Sequence, residues 1–144
     1  MKGEGQMDTL AATRLVNQLT AQQKQICQNV AGRLLRAYPE LSRMLRLEEN
    51  YTAPERLAAV SVERLSELVR SVLLFEAPTL ADKEITWAHG VLPRHGVTYQ
   101  HQSAMVRWFF EEVRRLPLTP EELALTAEIE QYFLNLVSSV YRVN

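Results

Sequence analysis

The sequence predicts an all-α fold, a bundle of six to seven helices in one domain. Apolar residues recur three and four positions apart along most of the chain, which gathers them on one face of a helix, while strand-like alternation is nearly absent. Helix-start signatures recur at Thr20, Thr52 and Thr119. The connections between periodic stretches are short, no repeat is visible, and 144 residues is the length of about one domain. Residues 1–8, with Gly3 and Gly5 among polar neighbours, read as a flexible start, and residues 9–144 as the domain.

A first helix near residues 8–19 carries Leu10, Leu15 and Leu19. Thr20 and Gln23 form a capping-box pattern, predicting a separate helix over 21–37 with Ile26, Val30, Leu34 and Ala37 inward. Pro39 interrupts it, and Glu40 to Leu47 reads as one or two short turns. Thr52-Ala53-Pro54-Glu55 opens a long helix, 53–75, burying Leu57, Val60, Leu65, Leu68, Val72 and Phe75 before Pro78. Thr79 and Asp82 open a shorter one, 80–90, with Ile85 and either Trp87 or Ala88 inside. After the corner at Gly96 and Thr98, a helix over 99–116 carries Met105, Val106, Phe109, Phe110 and Val113. Thr119-Pro120-Glu121-Glu122 combines an N-cap, an N1 proline and a capping-box glutamate, the strongest start in the chain. The helix it opens, 120–141, shows Leu125, Ile129, Phe133, Leu136, Val137 and Val140.

Composition narrows the function classes. Hydrophobic residues make up 47% of the chain, enough for one core. Sixteen basic residues face 17 acidic ones with no basic run, which argues against nucleic acid as a partner. Cys27 is the only cysteine, so no internal disulfide forms and a reducing compartment fits. The start MKGEGQMDTL has no apolar core for a signal peptide, and runs such as Val72 to Phe75 are too short for a membrane span. The expected location is cytoplasmic.

Three local patterns resemble the globin-like superfamily. Tyr38-Pro39-Glu40-Leu41 is similar to the segment where a globin's second helix turns into its third. His95-Gly96-Val97 looks like the corner after the proximal helix. Tyr99 to Leu116 and Pro120 to Tyr141 look like the long antiparallel pair that closes the fold. The likeness covers roughly residues 10–141. The family's haem-binding members stack a phenylalanine on the porphyrin where this chain has Leu45, and ligate iron with a histidine where it has Leu92. The resemblance therefore implies a non-haem sensor globin, similar to the N-terminal domains of stressosome co-antagonists, which pair their last two helices across a dimer.

Several residues stand out against that frame. His89, His95 and His101 are six apart, share no helical face and do not assemble a zinc site with one cysteine. His89 lies three residues before Leu92 and is the iron ligand of the alternative reading, a haem protein for gas sensing or carriage. If a pocket persists without haem, Leu45, Leu68, Val69, Val72, Trp87, Leu92, Tyr99 and Met105 would line it and suit a hydrophobic small molecule. Trp108, Phe109 and Phe110 are consecutive and cannot all point inward from one helix, so they are expected at a homodimer face with Tyr132, Leu136, Val140 and Tyr141. Cys27 reads as a small apolar residue, with a redox role left open.

No catalytic arrangement emerges. Ser61, Ser66 and Ser71 have no His-Asp partners, and no nucleophile elbow or phosphate-cradling glycine loop is present. The pairs Glu111-Glu112 and Glu121-Glu122 read as solvated helix faces. The expected function is a non-catalytic sensory, signalling or protein-interaction module without a cofactor. With no output domain before Asn144, it would act through a separate signalling protein. An architectural adaptor with a filled core is the remaining alternative.

Overall fold

The computed structural model describes residues 9–41, 61–75 and 98–142. They form four helices: α1 (Thr9–Ala37), α2 (Glu63–Phe75), α3 (Tyr99–Arg114) and α4 (Pro120–Arg142). No strand occurs among the described residues. The helix expected over 80–90, and most of the turns expected over Glu40 to Leu47, lie outside them.

One expected boundary is absent. The stretches read as two helices, 8–19 and 21–37, are one continuous α1 of 29 residues. Thr20 does not cap anything. Its Oγ1 donates to the carbonyl of Val16 at 2.9 Å, one turn back, so the hydroxyl is satisfied inside the helix and the backbone continues through it. Leu15, Leu19, Ile26, Val30 and Leu34 then form one buried face along the whole rod. α1 stops where Tyr38 precedes Pro39, since a residue before proline is pushed out of the helical region.

The starts at Thr98 and Thr119 are as their local chemistry demands, and the one expected at Thr52 lies outside the described residues. Thr119 Oγ1 accepts the N–H of Glu122 at 3.2 Å, and the Thr119 carbonyl accepts from Leu123 at 2.9 Å, launching α4 at Pro120. Thr98 caps α3 by accepting from the N–H of His101. The side chain of that histidine returns the bond, in the place where a capping box usually has Glu or Gln.

α3 and α4 pack antiparallel, Arg114 meeting Glu130 at one level and Phe110 approaching Phe133 at the next. α1 runs antiparallel to α3: Gln18 reaches the Pro117 carbonyl, Asn29 reaches Glu112 and Arg33 reaches Glu111. α1 also packs on α2 and on α4, so it touches every other described helix. The core fills the space between them. Phe109, Phe110 and Phe133 are fully buried there with Leu15, Leu19 and Leu34. No described helix is long and apolar enough to cross a membrane.

Candidate recognition surface on the seam of α1 and α3

The three consecutive aromatics separate by function. Phe109 and Phe110 pack edge-on at 5.2 Å and are closed inside the chain, so the expectation that they belong to a dimer face is corrected. The reason is that α3 is covered on two sides, by α1 and by α4. Successive side chains turn about 100°, so two neighbouring helices cover more of that arc than one would. Trp108 alone stays half-buried. It faces α1, where Tyr38 stacks on it at 6.2 Å and the Arg33 guanidinium lies 4.3 Å from its ring centroid.

Beyond Tyr38 the row continues to His101, which meets the tyrosine ring edge-on at 4.8 Å. His101 is buried, and both of its ring nitrogens are engaged. Nδ1 accepts the Thr98 N–H at 3.0 Å, so the ring proton sits on Nε2 and is donated to Glu40 Oε2 at 2.9 Å. A contiguous line thus runs Arg33, Trp108, Tyr38, His101, Glu40 along the seam.

On the other side of Arg33 the seam opens into a groove of about 600 Å³. Gln28, Asn29, Gly32, Arg33 and Arg36 of α1 make one wall. Glu111 and Glu112 of α3, with its C-cap Arg115, make the other. Arg33 pairs with Glu111 at 3.1 Å. Glu112 accepts from Asn29 at 2.8 Å and pairs with Arg115 at 3.1 Å. The Glu111-Glu112 pair is therefore a cross-helix clamp rather than a solvated face. Arg36 has no hydrogen-bond or ion-pair partner among the described residues, although its Nη1 lies over Gly32.

The second acidic pair divides. Glu121 is exposed, but Glu122 is 2% exposed, contrary to the solvated reading. Its Oε2 accepts from Thr119 Oγ1 at 2.8 Å and pairs with Arg14 Nε at 3.1 Å, which ties the start of α4 to α1. The cap residue was legible in the sequence, its burial under α1 was not.

Five of the eight expected pocket residues are among those described. Val69 and Val72 are buried in the core, Leu68 and Met105 pack at its margin, and Tyr99 is 39% exposed at the start of α3. Leu45, Trp87, Leu92 and the alternative iron ligand His89 lie outside the described residues. Of the other expected interface residues, Tyr132 and Leu136 are partly buried against the core. Val140 and Tyr141 lie in the last turns of α4. Among the described residues no three His, Cys, Asp or Glu side chains group as metal ligands.

Cys27 is buried, and desolvation pushes its thiol from 9.0 up to about 12, helped by the Glu63 carboxylate and opposed by Arg70. A thiol held neutral is a poor nucleophile, so the redox role left open has no support in its surroundings. No protein-family model, curated protein or solved structure matches the chain.

Proposed function

We propose that the chain is a non-catalytic interaction module of globin-like build, working without haem and associating with a second copy of itself through the surface around Trp108. The observation that carries this is the line of Arg33, Trp108 and Tyr38, stacked on one another and still partly open to solvent. Tryptophan, tyrosine and arginine are the side chains that most often dominate binding energy at protein interfaces. Here they are held rigid by their mutual stacking, which lowers the entropy lost on association. The antiparallel α3–α4 pair supports the globin-like build, because such a pair closes that fold and supplies a second helix beside Trp108's own.

Sedimentation equilibrium of the wild-type chain at micromolar concentration tests the reading. A dimer is expected, and Trp108→Glu should shift it toward monomer with helicity unchanged by circular dichroism. A wild-type monomer, or a dimer indifferent to Trp108→Glu, would discard it. A separate signalling protein is the second reading, favoured by the polar groove adjoining Trp108, which an unlike partner with complementary charge fits better than a symmetric copy does.

A further inference from the structure

The groove between α1 and α3 holds more cationic than anionic side chains. Arg33, Arg36 and Arg115 stand against Glu111 and Glu112. Two of the arginines are neutralised by the two glutamates, which leaves the positive charge of Arg36 uncompensated among the described residues. A guanidinium offers planar paired donors that match a carboxylate or phosphate edge. The Gln28 amide, one helical turn before Gly32 as Arg36 is one turn after it, lines the same wall and also has no partner among the described residues.

Gly32 is a second, independent observation. It lies inside α1, where glycine is destabilising relative to alanine, and neither a turn nor a left-handed backbone calls for it. Among the described residues close packing does not call for it either. A Cβ there would meet only the mobile tip of Arg36, at 3.4 Å. What the missing side chain does is leave bare backbone in the wall, against which that guanidinium lies.

We propose that this groove is an oxyanion-binding site, with Arg36 as the anchoring cation, Gln28 as an added donor and Gly32 letting the guanidinium lie along the wall beside Gln28. The ligand is a carboxylate or phosphate group, carried either by a small metabolite or by an acidic side chain of a partner protein. Glu111 and Glu112 pair with Arg33 and Arg115, so Arg36 is the groove's guanidinium without an acidic partner among the described residues. The inference goes beyond self-association at Trp108. An intact dimer with no anion binding sinks this site alone, and anion binding by a monomer leaves it standing.

The test is a nuclear magnetic resonance titration of the ¹⁵N-labelled full chain at constant ionic strength, with inorganic phosphate, with succinate and with a short peptide bearing two glutamates. Saturable shifts are expected at the Gly32 amide and the Arg36 Nε–H. Arg36→Gln should weaken binding about tenfold or more. Gly32→Leu, which fills the wall while keeping the charge, should weaken it as well. Tighter binding of the peptide than of succinate identifies a protein side chain as the source, and the reverse order identifies a free anion. No saturable shift with any of the three ligands overturns the proposal, as does binding unchanged in Arg36→Gln.

Discussion

Glu122 shows how one side chain serves two purposes at once. It sits in the first turn of α4, where a carboxylate favours the helix dipole, and is nonetheless 2% exposed. Burial is tolerated because Thr119 and Arg14 both donate to it. Glu122→Ala therefore removes a cap contact and orphans two donors, and should cost about 2 kcal/mol in urea unfolding. Arg14→Ala leaves the buried Glu122 carboxylate without its cation, so it too should cost about 1–3 kcal/mol. A loss for Glu122→Ala no larger than for Glu121→Ala would show that the buried contact contributes nothing. Cys27 makes a different prediction. A thiol whose pKa is raised on folding stabilises the folded state fully below pH 9.0, and this contribution is lost as pH rises through about 12. Unfolding free energy should fall with pH across that window more steeply in wild type than in Cys27→Ala. Near neutral pH the thiol should resist an aromatic disulfide reagent until urea is added, and rapid labelling of the folded chain would contradict its burial.

At the scale of elements, local chemistry alone separates what was legible from what was not. The start at Thr119 was readable because every contact that defines an N-cap lies within one turn. Thr20 carries the same pattern, yet its hydroxyl turns back to Val16, and no neighbouring residue announces that choice. Thr20→Ala distinguishes the two situations. A true cap would lose about 1 kcal/mol, whereas an interior threonine replaced by the best helix former should change stability by about 0.5 kcal/mol or less. Calorimetry or urea unfolding decides. The aromatic triplet failed for a related reason, since how many sides of α3 are covered depends on helices remote in sequence. The role of His101 was missed, although a histidine three residues after Thr98 places an acceptor where a capping box needs one. The groove was not readable, because Arg36 stands out only once Glu111 and Glu112 are seen to be taken by other side chains.

For the whole molecule, the question of haem turns on residues that the resemblance singles out, Leu45 and Leu92, neither of which can stack on or ligate a porphyrin iron. The chain purified without added haem should be colourless and show no Soret band. A stoichiometric band would overturn that, and His89→Ala would then locate the ligand. His101 is a poor substitute, because Thr98 and Glu40 already occupy both of its ring nitrogens.

The rod-like α1 has a consequence for the order in which the chain assembles. At 29 residues it is about 43 Å long, and its partners on α3, α4 and the turn between them are remote along the chain. The α3–α4 hairpin, by contrast, is closed by the short connection 115–119, where loop closure costs little entropy. The hairpin should form early and the rod should dock onto it late, as long-range contacts do. Kinetic φ-values for Phe110→Leu and Phe133→Leu should then be about 0.5 or higher, with those for Leu15→Ala and Leu19→Ala about 0.3 or lower. Stopped-flow chevrons measure both sets. The reverse ranking would mean that α1 nucleates the fold and the hairpin closes around it.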